Sequence, residues 1–223
     1  IFLKKRDLYM SIRSVQNVVK AFTQRMYSYR KCMIRGATRP IITRICRGST
    51  YTPTTPPIIR VGESLPQADL FEDFPSNAIR MPEFVCSKNV VLFGVPGAFA
   101  PGCSKTHLPE YVQAANSMKK DGIDEIICVS VNDVFVMSAW AEQHKTKAKI
   151  RMLADPTGSF IYALGLGMNL PSLGGFRARR FSMVLVDNIV KELHIEPDGV
   201  GLCCSLAHVL GYKSYVKSKT KLF

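Results

Sequence analysis

The sequence predicts an α/β domain with a mixed central sheet flanked by helices, and three observations carry that prediction. Apolar runs of strand length at 89–96, 125–131 and 150–155 alternate with stretches of helical spacing, the pattern of strands joined through helical crossovers. The run at 180–199, RFSMVLVDNIVKELHIEPDG, places Asp187-Asn188 between two further apolar segments and reads as a hairpin, which adds antiparallel pairing. With 223 residues and 47% hydrophobic content, the chain is long enough to bury one sizeable core.

Taken in order, the chain begins with a basic leader and linker, residues 1–57. Residues 1–62 hold 13 Lys and Arg against one acid, Asp7, whereas residues 63–223 hold 17 against 16, so nearly all of the net charge of +13 belongs to the leader. Ile12, Val15, Val19, Phe22 and Met26 recur at helical spacing among Arg13, Asn17, Lys20 and Gln24. An Arg-rich amphipathic leader with no acid after Asp7 predicts an organellar transit peptide and a mitochondrial matrix protein, or a cytoplasmic one where the leader is absent. The alternative is a nucleic-acid-binding arm. It is disfavoured because the domain itself is close to neutral and offers no clustered basic face, so no nucleic-acid partner is expected.

The Pro- and Thr-rich stretch at 49–66 reads as an extended linker, with the folded domain spanning 58–212. After the strand at 89–96, the segment 103–122 carries helical spacing through Leu108, Tyr111, Val112 and Ala115 to a stop at Gly122. Pro109 inside it must kink the helix or mark its true first turn. Asn132 or Asp133 caps the next helix. The Gly-rich stretch 158–175 reads as irregular, a last helix is predicted over 202–210, and the basic tail 213–223 is expected to be solvated or disordered. No apolar run reaches the roughly 18 residues of a membrane helix, so no membrane partner is expected.

Seven cysteines fall at 32, 46, 86, 103, 128, 203 and 204. An odd number without paired short spacings argues against a secreted disulfide framework and against a tetrahedral zinc site, so neither metal nor cofactor is expected. Cys128, inside a strand, reads as core; His107 reads as a structural hydrogen-bonding group in preference to the base of a protease-like dyad. Cys103 is different. It follows two prolines and two glycines in PGAFAPGCSKTH, 96–107, where a helix is about to start. Unsatisfied N–H groups and the macrodipole at a helix N-terminus favour the thiolate, the nucleophilic form of the residue.

The segment VLFGVPGAFAPGCSKTHLPEYV resembles the active-site region of the peroxiredoxins, in particular their type-five, atypical two-cysteine branch. VSVNDVFVMSAWAEQHK, RMLADPTGSF, RRFSMVLVDNIVKELHIEPDG and GLCCSLA resemble the same branch in the same order, over nearly all of residues 58–212. The resemblance implies a thioredoxin-like peroxiredoxin fold and thiol-dependent reduction of hydrogen peroxide and small organic hydroperoxides, recycled by thioredoxin, in a monomer or weak homodimer. It implies that Cys103 is the peroxidatic cysteine and Arg180 the active-site arginine. Pro96 corresponds to the shielding proline, and Gly102 supplies a backbone N–H beside the peroxide. It also implies that Cys204 is the resolving cysteine, forming an intramolecular disulfide with Cys103. Cys203 stands where the family commonly has threonine, leaving it a competing resolver. Ala100 stands where the family has another threonine, so the alternative is a weakly active or redox-sensing paralogue of the same fold.

Overall fold

The computed structural model describes residues 56–216; the leader helix, Cys32, Cys46 and the last seven residues of the tail lie outside the described residues. Nine strands are described: β1 (Asp69–Phe71), β2 (Ala78–Arg80), β3 (Asn89–Val95), β4 (Glu125–Ser130), β5 (Arg151–Ala154), β6 (Gly167–Leu170), β7 (Gly175–Ala178), β8 (Phe181–Val186) and β9 (Ile189–Ile195). Seven of them form one sheet in the order β2-β1-β5-β4-β3-β8-β9. β3, β4 and β5 pair in parallel, and the edges are antiparallel, so the sheet is mixed as the sequence pattern requires.

β3 is buried at all seven positions, which explains why its sequence lacks polar alternation. Its side chains divide between two cores by the two-residue period: Val91, Phe93 and Val95 enter one cluster, and Val90 and Leu92 the other. The first cluster is covered by α2 (Leu108–Lys120) and α3 (Val134–His144), whose Tyr111, Met137 and Trp140 are fully buried. The second is covered in part by α1 (Met81–Val85) and α4 (Ser159–Ala163). Asp133 caps α3 by accepting from the Val136 amide at 2.9 Å. The hairpin falls where expected, with φ of 50° at Asp187 and 63° at Asn188, the left-handed pair that matches strand twist.

Three local expectations are corrected. The stretch 158–175 is ordered into α4, β6 and the start of β7; left-handed Gly158 precedes the helix, and left-handed Gly174 and Gly175 close the β6–β7 hairpin. Residues 202–210 do not form a helix. Their amides at 203, 204 and 205 instead donate to the side-chain carboxylate of Glu196, which displaces the i to i−4 pairing a helix needs. The tail begins with a short helix, α5 (Lys213–Val216), docked by buried Tyr212 and Val216 and by a 3.1 Å ion pair from Lys213 to Asp121.

Gly94, near the C-terminal end of β3, pairs with Phe181 of β8, and a Cβ built on it would overlap the Phe181 ring. Both residues are buried on adjacent paired strands of the sheet, so relief requires the enclosed Phe181 ring to move. Gly94→Ala is expected to destabilise the protein by about 1–3 kcal/mol, read as a lower urea midpoint with an unchanged slope; an unshifted midpoint would show that the ring moves aside freely.

Candidate active site

Pro96 and Gly97 leave the end of β3 buried, and the chain then reverses through Phe99, which has φ of 62° and is 46% exposed. The Ala100 carbonyl accepts from the Ser104 amide at 2.9 Å and starts a helix that contains a single π turn, Cys103–His107, before α2. The wide turn ends with the Leu108 amide donating to the Cys103 carbonyl. It precedes Pro109, whose ring would collide with the carbonyl four residues back in a regular helix; widening the turn relieves that collision. Pro109 thus marks the first turn of the regular segment, and Cys103 and His107 both face inward, fully buried.

Arg180, immediately before β8 and almost fully buried, reaches that face. Its Nη2 donates to Cys103 Sγ at 3.4 Å, its Nε to the Val200 carbonyl at 3.1 Å, and its Nη1 to His107 Nδ1 at 3.1 Å. A guanidinium has only donors, so Nδ1 accepts and the imidazole proton lies on Nε2, which donates to the Ser205 carbonyl at 3.0 Å. Tyr111 Oη donates to the same carbonyl at 2.8 Å, and its ring stacks on Phe93 at 3.9 Å. Burial, with the Arg180 charge beside it, lowers His107 to about 4, so the ring is neutral and serves as an acceptor for Arg180. Gly102 packs beneath the guanidinium: a Cβ there would lie 3.4 Å from Nη2.

The sequence-predicted residues Cys103, Arg180 and Gly102 therefore meet, and Pro96 closes the strand behind them. Cys204 has separate partners. Its Sγ donates to the Ile195 carbonyl at 3.4 Å, Cys103 and Cys204 are both free thiols, and no hydrogen bond joins them. Cys203 Sγ, on the exposed side, donates to Glu196 Oε2 at 2.9 Å. Ala100 is half-buried and packs against the core with no hydroxyl to offer. Beside it lies a hollow of about 300 Å³ lined in part by Gly97, Ala98, Phe99 and Ala100. A larger hollow of about 910 Å³ lies apart, between Glu72 and Arg151, and neither hollow is lined by Cys103 or Arg180.

Glu196 is the residue the sequence reasoning missed. It is fully buried just beyond β9. Oε1 accepts from the amides of Cys203, Cys204 and Ser205 and from Ser205 Oγ at 2.7 Å. Burial works against its charge, but the donors from Cys203, Ser205 and Cys204 outweigh that and hold the carboxyl far below the usual range. In turn, burial and the Glu196 charge push the Cys204 thiol up to about 12, and the hydrogen bond to Glu196 raises Cys203. Cys128 lies in the core, where burial raises its thiol well above the ordinary value. No spacing rule links a glutamate after one strand to amides seven to nine residues later, so no sequence signal pointed to Glu196.

The fold and this buried thiol–guanidinium pair are those of a thiol-dependent redox protein, and the comparisons agree. The Redoxin family model matches residues 60–205. Peroxiredoxin-2D of Arabidopsis thaliana is 38% identical over 145 residues, covering 63% of this chain and 90% of the relative. Among solved structures, reduced Prx3 from Vibrio vulnificus in complex with H2O2 is 39% identical with a TM-score of 0.66, over 71% of this chain and 99% of that one. Peroxiredoxin 5 from Alvinella pompejana is 39% identical with a TM-score of 0.60, over 66% and 95%. The chain belongs to the peroxiredoxins. Within them it is close to the atypical two-cysteine, type-five branch, and it is a thiol peroxidase that reduces peroxides through a cysteine and is recycled by thioredoxin.

The neutral imidazole has a measurable consequence for stability. His107 is held near 4 in the fold against an ordinary 6.5, so between those values the unfolded chain binds a proton that the native state excludes. Its contribution is complete above pH 6.5 and is lost as the pH falls toward 4, to a maximum of about 3 kcal/mol. Urea midpoints of the reduced protein should fall across that window, and fall less steeply in His107→Asn; parallel profiles would refute a buried neutral ring.

Proposed function

We propose that Cys103 is the cysteine that attacks the peroxide and that Cys204 resolves the oxidised product. The observation that supports this most directly is the 3.4 Å hydrogen bond from Arg180 Nη2 to Cys103 Sγ, a fixed cation on a buried sulfur. The Cys103 thiolate attacks one peroxide oxygen; the S–O bond forms as the O–O bond breaks, and the electron pair leaves on the second oxygen. Arg180 stabilises both the thiolate and that developing charge, and the departing oxygen takes up a proton as water or an alcohol. Burial of Cys103 beneath the half-buried Ala100 and Gly102 favours small peroxides.

Cys103 sulfenic acid then condenses with the Cys204 thiol, releasing water and forming the disulfide that the dithiol of thioredoxin reduces. Because each sulfur has its own partner, Arg180 for one and the Ile195 carbonyl for the other, the bond requires the Glu196-held segment 203–205 to release Cys204. The leader directs the chain to the mitochondrial matrix; N-terminal sequencing of protein recovered from mitochondria is expected to find a start between about residues 26 and 58.

Two variant series test the assignment. In stopped-flow assays with hydrogen peroxide, Cys103→Ser should abolish the reaction. Cys204→Ser should complete one turnover and stop with a sulfenic acid that a dimedone probe labels. Continued thioredoxin-driven turnover by Cys204→Ser would assign resolution to another thiol, Cys203 first. Ala100→Thr, by supplying the missing hydroxyl next to the sulfur, should raise kcat/KM at least tenfold; an unchanged value would mean that another donor already fills the role.

A further inference from the structure

Peroxide chemistry makes use of Cys204 alone among three ligand-bearing groups that the fold gathers at one place. The sulfurs of Cys203 and Cys204 and a carboxylate oxygen of Glu196 all lie within 4.8 Å of one another. Glu196 Oε1 accepts from three amides and the Ser205 hydroxyl, whereas Oε2 accepts from the Cys203 amide alone at 3.0 Å and faces the Cys203 thiol at 2.9 Å. Oriented in this way, Oε2 resembles a ligand oxygen held in place by hydrogen bonds to its partner atom, the arrangement that fixes metal-binding carboxylates. A tetrahedral zinc with ordinary bond lengths needs sulfur-to-sulfur separations of about 3.8 Å and sulfur-to-oxygen separations of about 3.6 Å, so small shifts suffice. Cys203 is on the exposed side, which leaves an entry path and room for water in the fourth position.

We propose that Glu196, Cys203 and Cys204 form a binding site for a thiophilic divalent cation of the zinc class, with two thiolates and Oε2 as ligands. Two metal–sulfur bonds form and the two thiol protons pass to solvent; no group is oxidised or reduced. The site depends on Cys203: one thiol and one carboxylate would hold such an ion weakly, and the second sulfur completes the soft ligand set. If Cys204 is the resolving thiol, as proposed above, a bound cation withholds it from the disulfide and stops the enzyme after one turnover.

Cadmium is the probe, because thiolate ligation gives it a charge-transfer absorption in the near ultraviolet. The full chain carrying Cys32→Ser and Cys46→Ser, reduced and free of peroxide, is titrated with Cd2+ and then with Zn2+ in competition. One Cd2+ per chain is expected, with release of two protons and a two-thiolate band. Cys203→Thr, which retains a hydroxyl beside Glu196, should weaken binding at least tenfold, as should Glu196→Gln; Cys204→Ser should remove most of the band. Cys103→Ser should bind as the parent does, whether or not Cys103 is the peroxide-reactive residue. Parental affinity in Cys203→Thr, or loss of the band in Cys103→Ser, would overturn the proposal.

Discussion

The guanidinium of Arg180 is the constraint on which the site depends. One side chain, almost fully buried, bonds to the Cys103 sulfur, the His107 ring and the Val200 carbonyl. A buried cation is costly unless its donors are occupied, and here every partner is a neutral or polarisable acceptor. His107 can act as one only while it is neutral, so the burial that suppresses its protonation also keeps Arg180 in place. The backbone of Arg180 is pinned as well, its amide donating to the Gly199 carbonyl and its carbonyl accepting from the Glu196 amide.

That last contact links the arginine to a second organised region. Glu196 draws three successive amides toward itself and holds the turn that carries Cys203, Cys204 and Ser205. The Ser205 carbonyl, fixed by this turn, receives the donors of His107 and Tyr111 from the helix that bears Cys103. A continuous chain of hydrogen bonds therefore runs from the Cys103 sulfur through Arg180, His107 and Ser205 to the segment that holds Cys204. The Ser205 carbonyl is thus held from both sides, by the Glu196 turn and by the donors of the Cys103 helix.

Much of this was legible. The strands at β3, β4 and β5 and the β8–β9 hairpin announced themselves because burial on both faces and a left-handed Asp-Asn turn leave strong local signals. Cys103, Arg180 and Gly102 were singled out from the motif, and they meet. The segment 202–210 misled because its apolar spacing is helical, while the decisive partner, Glu196, acts through a side chain whose donors cannot be read from periodicity. The stretch 158–175 misled in the opposite sense, since its glycines read as loop but serve as the left-handed turns of a short helix and a hairpin.

The sequence by itself determined the α/β class, the strands β3, β4, β5, β8 and β9, the strongly basic leader and the thiol set, because these depend on composition, period and local turn chemistry. Tertiary structure alone decided which groups touch each sulfur. Arg180 lies 77 positions from Cys103, Ser205 lies 98 from His107, and Glu196 reaches forward across a turn, contacts made only when the sheet closes and buries the polar atoms that must then find one another.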